Sequence, residues 1–301
     1  MIPVADPSPE GARFPLFNLG LLATCVGVFL YEVTLQEGTL EALVLTYGVV
    51  PRELTSGQDS PPLLPQPWPV WTTLVTSMFL HGGWLHLAGN MLYLWVFGDN
   101  IEHALGHLKY LLFYLVCGVV AALTQVAAAP GLDVPMVGAS GAIAGVLGAY
   151  LVLYPGARVT TVVMAGGPRL VPVPAAVLIG LWALLQLYAG LGTLGVETQQ
   201  TGGIAHWAHI GGFICGLLLG LLAWAQRGRA VPVADKGPSA KLEHWAPGAT
   251  KADISRLAHS SGSGAGRRVS QGTQHAVQSL LGPQLRGRAQ TLRELQARRR
   301  G

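Results

Sequence analysis

Apolar residues fall into six long runs, roughly Leu16–Tyr31, His86–Ile101, Tyr110–Ala129, Ser140–Tyr154, Pro174–Leu194 and His206–Ala225. Each approaches the roughly 20 residues that a helix needs to cross a bilayer, some only after their flanks are counted. The pattern predicts an all-α membrane protein with six transmembrane helices. The second and fourth runs are short and carry polar residues. In lipid such interruptions must face protein or water, which makes them candidates for function.

The joints between runs give the direction of each span. The first joint carries Glu37, Glu41, Glu53 and Asp59 against Arg52 alone. The joints holding Asp133 and Glu197 have no Lys or Arg. Lys109, Arg158, Arg169 and the C-terminal segment fall on the other side. This places both termini in the cytoplasm and starts runs two, four and six near the outer face.

Polar residues concentrate at those three starts. The second run opens His81-Gly-Gly-Trp-Leu-His86-Leu-Ala-Gly-Asn90, with His86 and Asn90 four apart on one helix face. The fourth opens Gly138-Ala-Ser140-Gly141. The sixth opens His206-Trp-Ala-His209-Ile-Gly-Gly212. Topology alone therefore lets Ser140, His209, His86 and Asn90 converge in one shallow chamber. A serine becomes a nucleophile when a base lies within hydrogen-bond reach, and a tetrahedral intermediate needs donors aimed at its oxyanion. A helix N-terminus supplies free N–H groups and a positive dipole end. No acid lies near His209 in sequence, so the pattern reads as a Ser–His dyad. A lone membrane serine usually bonds back to its own backbone; the joint occurrence at one depth is what argues for chemistry.

Glycines account for how the helices meet. Gly141 and Gly145 are four apart, and Gly212, Gly216 and Gly220 repeat at the same spacing. Small residues at this interval let membrane helices approach closely.

Composition sharpens the picture. Half of the 301 residues are hydrophobic and 11% are charged, against about 25% charged in soluble domains. The net charge of +4 belongs to the C-terminal segment, because only Arg13, Arg52, Lys109, Arg158 and Arg169 precede residue 227. Nucleic-acid binding is therefore not expected of the body. The first eleven residues hold Asp6 and Glu10 and no basic residue, unlike a secretory signal. Cys25, Cys117 and Cys215 all sit in apolar runs and read as packing residues.

These motifs resemble the signature of rhomboid intramembrane serine proteases. The resemblance rests on His81…His86-xxx-Asn90, Gly138-Ala-Ser140-Gly141 and Ala208-His209-Ile-Gly-Gly, with Leu94–Glu102 similar to the family's second core helix. It covers about residues 15–225. It implies a six-helix rhomboid-like bundle that cuts transmembrane protein substrates near the outer face, with no metal or cofactor. Ser140 is then the nucleophile and His209 its base. His86, Asn90 and the Ser140 N–H form the oxyanion hole. His81, Gly138, Gly141, Gly145, Gly212 and Gly216 give structural support. Two departures stand out. Thr72 and Thr73 occupy the place of a Trp-Arg pair, and Ala144 stands where some members stack a tyrosine under the histidine.

The expected organisation is an N-terminal cytoplasmic segment (1–14), a catalytic domain (15–226) and a basic, mostly disordered tail (227–301), in a bacterial inner membrane. Gln284–Arg300 suits a short basic helix. Trp68, Trp71 and Trp84 suit an interfacial loop. His103-xxx-His107 has zinc-like spacing, but Ala104 stands where a metalloprotease carries glutamate. An aspartyl protease would need two facing aspartates, and only Asp99 lies near the core. A rhomboid-like binder without catalysis and a small transporter are the remaining rivals. A transporter would need ionisable groups along a midplane path.

Overall fold

The computed structural model describes residues 1–7, 14–57, 69–164, 167–193, 205–228 and 231. Glu10, Arg13, Asp59, Trp68, Glu197 and almost all of the 227–301 tail, with the helix anticipated at Gln284–Arg300, lie outside them.

Each apolar run is a helix. They are α1 (Leu16–Glu32), α5 (Trp84–Leu105), α6 (His107–Ala128), α7 (Ser140–Leu153), α8 (Ala175–Gly192) and α9 (His206–Arg227). Three short helices lie between α1 and α5: α2 (Glu37–Tyr47), α3 (Pro51–Ser56) and α4 (Thr73–Thr76). By length and composition α6, α8 and α9 are able to cross a membrane, whereas α1 and α7 are apolar but shorter. Rows of large apolar side chains face outward, including Leu108, Leu112 and Val116 on α6 and Ile214, Leu218 and Leu222 on α9. Soluble monomers rarely leave such contiguous surface uncovered.

The fold is mostly helical rather than wholly so. A three-stranded antiparallel sheet joins β1 (Ile2–Ala5), β2 (Arg158–Val163) and β3 (Arg169–Pro174), in the order β1-β2-β3. The strand β2 reads Arg-Val-Thr-Thr-Val-Val, a β-branched run suited to strand packing. The first strand thus ties the N-terminal segment to the connection between α7 and α8. Asp6, just after β1, is buried and accepts hydrogen bonds from the Tyr150 hydroxyl at 2.8 Å and from the Asn100 amide. Burying a carboxylate is costly without such donors.

Glu102 serves a helix end, as its position near the close of α5 leads one to expect. Its carboxylate accepts the backbone N–H groups of Phe17 (3.0 Å) and Asn18 (2.7 Å), the free donors at the start of α1. It also pairs with His107, the second histidine of the zinc-like spacing.

The centre of the bundle is the α7–α9 seam. A Cβ on Gly212 would collide with the Gly141 carbonyl oxygen, and one on Gly216 with that of Gly145. Backbone meets backbone here, as the four-residue glycine spacing requires. Gly148 belongs to the same seam, since a Cβ there would lie 2.8 Å from the Leu217 nitrogen. Gly141 through Tyr150 of α7 are all buried, and α5, α6, α8 and α9 pack against it.

Candidate active site

The seam carries its first turns to one end of the bundle. Ser140 is the first residue of α7, and His209 lies in the first turn of α9. His209 Nε2 stands 2.8 Å from Ser140 Oγ, within the ordinary range for a hydrogen bond. With the imidazole proton on Nδ1 the hydroxyl donates and Nε2 accepts; with it on Nε2 the direction reverses.

Local structure aims both residues. Gly138 takes φ +123°, a conformation side chains rarely adopt, and its N–H donates to the Ser77 carbonyl at 2.8 Å. The preceding loop is pinned by the reciprocal Val49–Met136 bridge. On α9, the Gln125 side-chain oxygen accepts the N–H groups of Trp207 (3.1 Å) and Ala208 (3.3 Å). An amide from α6 therefore caps the helix that carries His209.

His86 and Asn90 come to the same place. A Cβ on Gly138 would lie 2.7 Å from His86 Nε2 and 3.6 Å from Asn90 Nδ2. His86 Nδ1 accepts the Gly82 N–H at 3.3 Å. In a neutral ring that leaves the proton on Nε2, facing Gly138 and the start of α7. Asn90 Nδ2 is buried with no hydrogen-bond partner. Such a donor costs about 1–3 kcal/mol, and buried polar atoms left unpaired often mark function. The Ser140 N–H opens α7 and has no partner within the helix. His86 and Asn90 thus lie against Gly138, two residues before Ser140.

His81 sits behind His86, with ring centroids 5.3 Å apart. Its N–H donates to the Glu32 carboxylate at 3.3 Å, and its Nδ1 lies 3.3 Å from the Phe79 carbonyl. Burial, with His86 alongside, pushes its pKa down to about 4, so the ring is neutral. Its contacts join the end of α1 to the start of α5. Beside Ser140 a cavity of about 40 Å³ is lined by small groups, among them Gly118, Ala121, Gly141, Ala142 and Ala208. That is room for water.

Two glutamines and a tryptophan were not anticipated. Gln186 on α8 has its side-chain oxygen 3.0 Å from His209 Nδ1 and 2.8 Å from His206 Nδ1. The Trp182 ring lies 5.8 Å from that of His209, tilted by 40°. The available signal was an isolated amide in each of two apolar helices, Gln125 in α6 and Gln186 in α8. Ala144 is fully buried and presents only a methyl group. Thr72 and Thr73 bond back to their own turn, at Pro69 and Val70. Trp71 and Trp84 are exposed, and Trp84 also packs edge-on against Phe29 at 4.9 Å.

A family model described as the rhomboid domain matches residues 68–226, just over half of the chain. The chain belongs to the rhomboid family. It is 42% identical over 81 residues to the rhomboid protease GluP of Bacillus subtilis (strain 168), covering 27% of this chain and 15% of that protein. It is 30% identical over 152 residues to the mitochondrial rhomboid protein 1 of Saccharomyces cerevisiae, covering 49% and 40%. It is 40% identical over 78 residues to the chloroplastic rhomboid-like protein 11 of Arabidopsis thaliana, covering 26% and 28%. The chain thus spans less than half the length of these relatives. Rhomboid membership together with the apolar helices makes this an integral membrane protein.

Proposed function

We propose that this rhomboid is an intramembrane serine endopeptidase that cleaves transmembrane protein substrates, with Ser140 as nucleophile and His209 as general base. The observation that carries the reading is the 2.8 Å contact between Ser140 Oγ and His209 Nε2, in a site that also gathers His86 and Asn90.

Nε2 accepts the hydroxyl proton as Oγ attacks the scissile carbonyl. The carbonyl oxygen gains negative charge and is met by the Ser140 N–H, His86 Nε2–H and Asn90 Nδ2–H, with the N-terminus of α7 adding its positive end. The imidazolium then returns the proton to the leaving amine, and water hydrolyses the acyl-enzyme by the same path. These steps use the chain's own side chains and call on no cofactor. A transmembrane helix must unwind locally before its carbonyl is free to react, because its backbone is satisfied within the helix. Segments rich in glycine, proline or other small residues fit that requirement.

The charge asymmetry of the joints supports six spans with both termini in the cytoplasm, which sets the Ser140 end at the outer face. It fits a bacterial inner membrane. The lipid bilayer is then the working medium and single-span membrane proteins are the substrates.

The test is labelling of the purified full chain in proteoliposomes with a fluorophosphonate, alongside cleavage of a reporter helix. Wild type labels and cleaves, whereas Ser140→Ala and His209→Ala do neither and keep their helical circular-dichroism spectra. Full cleavage by Ser140→Ala would overturn the assignment.

A further inference from the structure

We propose that Gln186 is a positioning residue for His209, through which α8 fixes the proton of the catalytic imidazole on Nδ1. The proposal rests on the protease reading above and extends it to a third helix.

α8 is apolar along almost its whole length, Ala-Ala-Val-Leu-Ile-Gly-Leu-Trp-Ala-Leu-Leu-Gln-Leu-Tyr-Ala-Gly-Leu-Gly. Val177, Leu181, Leu184, Leu185 and Leu191 are exposed. An amide in such a helix is expensive unless it finds partners. Gln186 finds them on one side only, where α8 packs on α9. Its oxygen lies 3.0 Å from His209 Nδ1 and 2.8 Å from His206 Nδ1.

An amide oxygen accepts and cannot donate, and its two lone pairs serve two donors. Both imidazoles therefore carry hydrogen on Nδ1. For His209 this settles the chemistry of the opposite nitrogen. Nε2 is left bare, facing the Ser140 hydroxyl at 2.8 Å. A neutral imidazole with no acceptor at Nδ1 is free to hold its proton on Nε2 instead, and in that form it cannot take a proton from serine. The bond also fixes the ring plane. Trp182, one turn before Gln186 on the same helix face, closes one side of the ring at 5.8 Å. Ala144, beneath the serine on α7, contributes no more than a methyl group. Orientation of the base thus falls to α8.

A neutral amide also sets the charge of the site. The titratable groups around His209 are His206 on its own helix and His86 on α5. α7 presents Ser140, and α8 presents Gln186 and Trp182. None of these is a carboxylate. A Gln186→Glu substitution keeps an acceptor at Nδ1 and adds a negative charge, which stabilises the imidazolium. Base catalysis is lost once the ring is protonated, so the acid limb of the rate profile moves to higher pH.

The experiment uses the full chain in proteoliposomes as wild type, Gln186→Leu and Gln186→Glu. Fluorophosphonate labelling is measured against pH, and the tautomer of His209 is read by ¹⁵N nuclear magnetic resonance. Wild type is expected to show Nδ1–H. Gln186→Leu, which keeps the apolar packing, is expected to lose that signal and label more slowly, by up to about 10⁴-fold, the cost of a wrong tautomer. Gln186→Glu, which keeps an acceptor at Nδ1, is expected to show the acid limb of its labelling profile displaced upward. Wild-type tautomer and labelling rate in Gln186→Leu, or an unmoved acid limb in Gln186→Glu, overturn the proposal. A wild type that shows Nδ1–H and never labels at Ser140 overturns the protease reading and leaves the Gln186 contact standing.

Discussion

Replacing Gly216 by alanine adds one methyl group seven residues beyond His209, at the tightest point of the α7–α9 seam. The new Cβ would lie 2.5 Å from Gly145 Cα and closer still to the Gly145 carbonyl. Optimal carbon–carbon separation is about 3.5–4.0 Å, so the two helices must part by roughly 1 Å. Both obstacles are backbone, so no side-chain rotation relieves the clash. Adding 1 Å to the 2.8 Å between His209 Nε2 and Ser140 Oγ takes that contact past the limit of a hydrogen bond, about 3.5 Å. A misplacement of that size costs about 10²-fold in rate, and overpacking costs about 1–3 kcal/mol of stability. The assay is fluorophosphonate labelling of Ser140 in proteoliposomes, paired with a thermal melt in detergent. Gly27→Ala on α1, where a Cβ meets nothing within 4 Å, is the control and should match wild type. A Gly216→Ala protein that labels at the wild-type rate would refute the claim that backbone contact sets the Ser–His distance.

Asn90→Ala removes a buried donor that has no other partner. It should lower kcat of reporter cleavage by about 10²–10³ with KM little changed, because the donor acts on the oxyanion. Gln125→Leu deprives Trp207 and Ala208 of their acceptor; the melt should show a loss of about 1–2 kcal/mol, as for other helix caps. Tyr150→Phe removes one donor from buried Asp6, and the same melt should show about 1–3 kcal/mol lost.

Helix positions were legible because the apolar runs are long and their ends chemically marked. The run read as Leu16–Tyr31 is the helix Leu16–Glu32, and Ser140–Tyr154 is Ser140–Leu153. Whether each helix crosses the bilayer is a separate matter, and α7, at 14 residues, is the short apolar run that the sequence suggested. Ser140, His209, His86 and Asn90 could be grouped because all sit near helix starts on one side, so topology alone brings them close. The sheet was missed. Ile2–Ala5 has no periodicity of its own, and its partner lies more than 150 residues away. Gln186 was missed for a related reason. Its role depends on the rotation of α8 about its axis, which spacing within α7 and α9 does not encode. Gly148 escaped the four-residue pattern because it lies three residues after Gly145.

The pairing of β1 with β2 has a consequence for biogenesis. Pro3 sits opposite Thr161, so the first strand leaves the ribosome long before its partner has been translated. At about 5–20 residues per second, Ile2–Ala5 and the Asp6 carboxylate wait roughly 8–30 seconds for β2 and Tyr150 to be made. Closure of this strand is therefore a late step, possible only after α7 has been synthesised.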